Sequence, residues 1–196
     1  MDLYLMRHGE TDLNKQFRMQ GSVDAPINST GKQQALDAGE RIRDLQLSFD
    51  EVICSPLIRA QETAELATGC SRDRLILDPR VQEIDYGPYD GKKILSLPLK
   101  VLAFLIAPYK HDTPDGIESI EHLYQRAEGF LQEISSRDGK EKILVVTHGI
   151  AMRVMIGCIQ GMDCHELWKN KVSIGNCALF HILVKDHQFG ELSRII

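Results

Sequence analysis

The chain has 196 residues, 43% apolar and 26% charged, with 23 Lys and Arg against 28 Asp and Glu. That composition excludes disordered and fibrous classes, and the length fits one unit spanning 1–196. A net charge of −5 argues against a surface built to grip nucleic acid or an anionic bilayer, so any anionic ligand must meet a local positive cluster.

The N-terminal stretch carries Asp2 and Arg7 too early for a signal peptide or a membrane span, which leaves a cytoplasmic expectation. Leu3, Tyr4, Leu5 and Met6 form a short apolar run that predicts a buried strand, stopping at Arg7-His8-Gly9. Ser29-Thr30-Gly31 opens a helical stretch with Ala35, Ala38, Ile42 and Leu45 on one face. Val52-Ile53-Cys54 is a second buried strand. Ser55-Pro56 then reads as the cap and first residue of a helix to about Thr68. Leu75-Ile76-Leu77 is a third strand candidate.

Residues 86–117 are irregular, with Pro88, Pro98, Pro108 and Pro114 and a short helix expected near 101–106; they read as an inserted lid excursion. Ser119 caps a helix to about Ser135. Ile143-Leu144-Val145-Val146 is the strongest strand signal and ends at Thr147-His148-Gly149, followed by a helix from about Ile150 to Ile159. Residues 178–184 and 191–195 predict two closing strands around a turn region at 186–190. Continuous apolar strands alternating with helices imply an α/β fold, a three-layer α/β/α sandwich with a mostly parallel central sheet. The five cysteines form no C-x-x-C and read as reduced, buried small hydrophobes. No metal-ligand spacing is present among the seven histidines.

Three of the strand ends carry Arg or His: Arg7-His8-Gly9, Ser55 to Arg59, and Thr147-His148-Gly149. Ligands of open α/β sheets bind at the carboxyl ends of strands, so these loops can converge and deliver two Arg and two His. Such a group suits a phosphoryl dianion, because guanidinium offers a bidentate fork to its oxygens and glycine lets backbone approach closely. His8 is the candidate nucleophile, kept neutral by Arg7 and Arg59, and His148 the candidate donor to the equatorial oxygens. A proton donor for the leaving group is also required, and by position Glu83, Glu10 and Asp85 all compete.

The run Leu5-Met6-Arg7-His8-Gly9-Glu10-Thr11, with Asn14 and Gln20-Gly21 after it, resembles the signature of the histidine phosphatase superfamily, the phosphoglycerate mutase-like proteins. Ser55 to Ala64 is similar to that family's S-x-x-x-R-A-x-x-T-A segment, and Val146-Thr147-His148-Gly149 to its second histidine. The resemblance spans residue 3 to about 160. It implies a phosphohistidine on His8 and a phosphate pocket of Arg7, Arg59 and His148, with Asn14, Gln20, Gly21 and Gly149 contributing to phosphate binding. It also implies that Glu83, rather than Glu10 or Asp85, is the proton donor. No cofactor and no metal are implied, and the partner expected is a small phosphate ester.

Cofactor-dependent mutases of the family place paired arginines in the excursion to hold a carboxylate, and residues 86–117 contain no Arg. The chain therefore resembles the small phosphatases of the family, including the α-ribazole phosphatase type. The apolar stretch 95–109 either packs as core or walls the leaving group. On the second reading, aryl or nucleoside-like phosphates are served better than a small carboxylate such as 3-phosphoglycerate. The reading is a phosphomonoester hydrolase; the alternatives are a cofactor-dependent phosphoglycerate mutase and a phosphate-binding regulatory module without turnover.

Overall fold

The structure, a computed structural model, describes residues 1–137, 139–169 and 174–196. In chain order these form β1 (Asp2–Arg7), α1 (Asp12–Lys15), α2 (Ser29–Asp44), β2 (Glu51–Cys54), α3 (Ile58–Thr68), β3 (Ile76–Leu77), α4 (Leu99–Ile106), α5 (Ile120–Ser135), β4 (Lys142–Thr147), α6 (Gly149–Ile159), α7 (Cys164–Lys169), β5 (Leu179–Lys185) and β6 (Gln188–Arg194). Among the described residues the strands make one sheet in the order β3-β2-β4-β1-β5-β6. β3, β2, β4 and β1 are mutually parallel; β5 runs against β1, and β6 turns back against β5.

The three layers follow from strand alternation. Leu3 and Leu5 of β1 and Ile143 and Val145 of β4 face a buried cluster with Leu123, Ala127 and Phe130 of α5 and Met152 and Met155 of α6. Their neighbours Tyr4, Met6, Leu144 and Val146 face the opposite cluster, with Ala35, Ala38 and Ile42 of α2 and Ala60, Ala64 and Ala67 of α3. Both faces of these strands are covered, which is why they read as unbroken apolar runs rather than alternating ones. Each buried Leu, Ile or Val contributes roughly 1.5–3 kcal/mol relative to an exposed one. The α/β architecture with a mostly parallel sheet is the one the sequence implies, and among the described residues no helix is long and apolar enough to cross a membrane.

Several local expectations shift. Helix α3 begins at Ile58 rather than at Pro56: Leu57 is extended, and the Ile58 N–H is capped by Asp24 Oδ1 from a distant loop at 2.7 Å. Ser55, read as the cap, is fully buried; its Oγ accepts the Leu57 N–H at 3.3 Å, one residue short of the helix, and also the His148 Nε2–H at 2.7 Å. Helix α2 does open at Ser29 as expected, with Asn28 capping it through the Gly31 N–H at 2.9 Å. Leu45 lies past the end of that helix and is exposed. The closing hairpin turns on Asp186 and His187 alone, both in the left-handed region (φ 51° and 61°), so β6 starts three residues earlier than expected. Ser119 caps α5 as expected, through the His122 N–H. Helices α1 and α7 are too short to show a period in the sequence.

Candidate active site

Strand register brings the site together. Arg7 of β1 pairs with Thr147 of β4, and Cys54 of β2 with Val146 of β4, so all three chains leave the sheet at the same level. The next residues stay tied across the gap: His8 N–H donates to Thr147 O at 2.9 Å and Ser55 N–H to Val146 O at 3.0 Å. His8, His148 and Arg59 are thereby buried together at the carboxyl ends of parallel strands, with the two imidazole centroids 5.1 Å apart.

Each histidine has its tautomer dictated by its partner. His8 Nδ1 lies 2.6 Å from the Gly9 carbonyl, which can only accept, so Nδ1 carries the proton and Nε2 keeps the lone pair. Burial, then the positive charges of Arg59 and Arg7, hold this imidazole well below the usual histidine pKa. The result is an imidazole that is neutral at neutral pH, with its lone pair on Nε2. His148 has the opposite tautomer: Arg59 Nε donates to its Nδ1 at 3.0 Å, and its Nε2 donates to Ser55 Oγ at 2.7 Å. Burial and the adjacent Arg59 also push its pKa well down. Both of its nitrogens are thus engaged by protein, and the expected donation to a phosphate oxygen requires Nε2 to leave Ser55.

Arg59 is completely buried, and burial lowers its pKa to about 10. Besides His148 it donates through Nη1 to Val23 O and through Nη2 to Gly21 O, both at 2.8 Å, and each terminal nitrogen has a second N–H. Arg7 donates through Nη1 to Ile174 O at 2.7 Å, while its buried Nε has no partner among the described residues. Gln20 is similar: its carbonyl accepts from Thr11 Oγ1 at 2.6 Å, and its buried Nε2 is unpartnered. Neither Arg59 nor Arg7 forms an ion pair among the described residues. A buried cation and buried orphan donors are costly in a folded protein unless an acceptor arrives, which makes this group a cradle for an anion.

Glu83 closes the cradle from the other side. Its carboxylate accepts from the Ile150 and Ala151 N–H groups at the start of α6 at 3.1 and 2.9 Å, where the helix end favours negative charge. A Cβ built on Gly149 would stand 3.5 Å from Arg7 Nε and 3.6 Å from Glu83 Oε2, so these two groups flank one backbone point. The segment bearing Glu83 is clamped by Thr147 Oγ1 on Val81 O and by Arg126, which donates to Arg80 O, Gln82 O and Glu83 O while pairing with Glu118. The rival acids are engaged elsewhere. Glu10 accepts from Asn28 Nδ2 beside α2, and Asp85 from Ser22 Oγ and the Gly87 N–H.

Asn14 lines the same pocket, its Oδ1 fixed by the Thr11 N–H in a capping box. Gly21 lies behind Arg59: its carbonyl orients that guanidinium, and a Cβ there would fall 2.3 Å from Ile84 O. The pocket over the site, about 270 Å³, takes Tyr86 and Ile94 from the excursion and nothing from 95–109. Leu97, Val101 and Phe104 are buried in the core, whereas Leu95, Leu99 and Ile106 face outward, so of the two readings of 95–109 packing as core fits the first three and the wall is not formed at this pocket. The expectation that no arginine is present to meet a carboxylate is also corrected, because Arg18 and Arg153 reach the pocket from outside the excursion. Sequence reasoning missed Ser55 as the partner of His148, and Arg126, Arg18 and Arg153 altogether.

A family model described as histidine phosphatase superfamily (branch 1) matches residues 3–194. The chain is 33% identical over 195 residues to the "Probable phosphoglycerate mutase GpmB" of Erwinia tasmaniensis, covering 96% of this chain and 86% of that protein. It is 34% identical over 159 residues to the "Uncharacterized phosphatase PhoE" of Bacillus subtilis, covering 81% and 77%. Among solved structures, Bacillus stearothermophilus YhfR superposes with a TM-score of 0.84 at 30% identity, covering 96% of this chain and 94% of that one.

Proposed function

The chain belongs to branch 1 of the histidine phosphatase superfamily, and from that premise we propose that it is a metal-independent phosphomonoester hydrolase acting on small phosphorylated metabolites through a phosphohistidine. The observation that carries this reading is the pair of buried, unpartnered donors, Arg7 Nε and Gln20 Nε2, beside a fully buried Arg59 that has no carboxylate partner among the described residues. A phosphoryl dianion satisfies all three at once.

In the first step His8 Nε2 attacks phosphorus, the P–O bond to the alcohol breaks, and Glu83, acting in its protonated form, gives its proton to the departing oxygen. Charge spread over the equatorial oxygens is met by the free N–H groups of Arg59 and by Arg7, Gln20 and Asn14. His148, held between Arg59 and Ser55, keeps the Arg59 guanidinium in line. In the second step Glu83, now a carboxylate, takes a proton from water. The water oxygen attacks phosphorus, the P–N bond breaks, and inorganic phosphate leaves with the lone pair restored to Nε2.

The mutase reading draws on relatives named as probable phosphoglycerate mutases and differs in the acceptor of the second step, a sugar-acid hydroxyl rather than water. Two assays on one preparation separate these readings. Release of phosphate from p-nitrophenyl phosphate and from a metabolite panel, in the presence of a chelator, should outrun isomerisation of 3-phosphoglycerate with bisphosphoglycerate primer. Faster isomerisation overturns the hydrolase in favour of the mutase, and phosphate binding without any turnover overturns it in favour of the regulatory module.

A further inference from the structure

The pocket over the site contains more positive charge than one phosphoryl group uses. Three arginines line it, Arg7, Arg18 and Arg153, with Glu83 the acid among the lining residues. Arg7 and the Arg59 beneath it are spent on the phosphoryl group in the reading above. Arg18 and Arg153 remain, in a chain whose net charge is −5.

Among the described residues neither pairs with an acidic residue. Arg18 is pinned through Nη1 to Gly91 O at 2.7 Å and through Nε to Gln16 Oε1 at 2.9 Å, both neutral acceptors. Arg153 stands one helical turn after Gly149 on α6, which puts it on the face of that helix that looks into the pocket. Among the described residues its guanidinium meets the Trp168 ring, 6.0 Å from the centroid, and no carboxylate lies within ion-pair distance. Both side chains are half-buried, so their charge is less screened than on an open surface. The two come from different elements, the loop after α1 and the second turn of α6, and meet across a cavity of about 270 Å³, room for a small metabolite rather than a polymer.

We propose that Arg18 and Arg153 form a second anion subsite, and that the substrates this protein prefers are small phosphate monoesters carrying a second anionic group, a carboxylate or a second phosphate, a few bonds from the first. This rests on the hydrolase reading for the word substrate, but the subsite itself is a binding property and can be measured apart from turnover. It also reverses the substrate order expected from the arginine-free excursion.

The probes are three phosphonates, which the enzyme cannot hydrolyse: propylphosphonate, 3-phosphonopropionate and propane-1,3-diphosphonate. Their Kd values are measured by calorimetry on the wild-type protein, Arg153→Gln and Arg18→Gln. The wild type should bind at least one of the doubly anionic compounds about tenfold or more tighter than propylphosphonate, a difference of about 1.4 kcal/mol. The stronger of the two identifies the second anion. That advantage should fall to about threefold or less in each variant and recover in part in Arg153→Lys, which restores charge without the fork. Equal affinity of all three compounds for the wild type, or an advantage that survives in both Gln variants, overturns the subsite. A wild type that shows the advantage yet hydrolyses no phosphate ester keeps the subsite and refutes the hydrolase. Hydrolysis without the advantage does the reverse.

Discussion

Arg59 donates through Nε to Nδ1 of His148 at 3.0 Å, with both side chains completely buried. A ring nitrogen that accepts from a guanidinium cannot also carry a proton, so the bond exists only while His148 is neutral. The structural cation and the second histidine are therefore coupled: the folded site refuses a proton that the unfolded chain would accept.

That coupling has a sign in pH. His8 and His148 both titrate well below the ordinary histidine value of 6.5 in the folded protein, because of burial and of Arg59 and Arg7. Below 6.5 the unfolded chain binds protons that the folded chain does not. The stability is fully present above that pH and is lost as pH falls through it, at up to ~1.4 kcal/mol per pH unit for each histidine. The Tm of the ligand-free protein should drop between pH 7 and 5.5, and the slope should ease in His8→Asn, which removes one of the two groups. A Tm that is level or rising over that window contradicts the assignment of two buried neutral histidines.

Arg59→Lys should behave almost as badly as Arg59→Ala. Lysine keeps the charge, but it cannot hold His148, Val23 O and Gly21 O together and still present a planar fork. Loss of about 2–4 kcal/mol of transition-state stabilisation corresponds to a fall of roughly 30- to 1,000-fold in kcat/KM on p-nitrophenyl phosphate. Wild-type kcat/KM in Arg59→Lys would place Arg59 outside the phosphate pocket.

How far the sequence carried the site depends on what each residue needs to be found. Arg7, His8 and His148 stand at the ends of apolar runs, where strand periodicity alone points to them, and Arg59 follows the second such run. Glu83 was separable from Glu10 and Asp85 only through the family resemblance; the structure adds the α6 N–H groups that seat it. Ser55 reads as a helix start because Ser-Pro before a helical pattern is a standard signal; it does accept the Leu57 N–H, but its shorter bond is to a histidine 93 residues away, which no local pattern shows. Arg126, Arg18 and Arg153 sit in amphipathic or loop sequence where an arginine is ordinarily solvated. Their roles come from strand register and helix docking, which bring distant backbone into reach and leave no local pattern. The excursion misled for a related reason: Leu97, Val101 and Phe104 face the core while Leu95, Leu99 and Ile106 face outward, and the arginines that line the pocket come from outside it, from α6 and the loop after α1.

Glu83→Gln should separate substrates by leaving group. An alkoxide needs the proton that Glu83 supplies, whereas p-nitrophenolate departs without one. In the pre-steady-state formation of phosphoenzyme, the variant should lose more rate on alkyl phosphates than on aryl phosphates. Equal loss on both classes in that step would remove Glu83 from the role of acid and leave it a positioning residue for the start of α6.

The central claim is that His8 Nε2 carries the phosphoryl group between the two steps, and rapid quench of the enzyme turning over a labelled phosphate ester tests it directly. The wild type should trap a label that is stable in base, labile in acid and mapped to His8, and the label and the turnover should both be absent from a folded His8→Ala. Turnover by His8→Ala at the wild-type rate, or wild-type turnover with the label on another residue, would contradict the account.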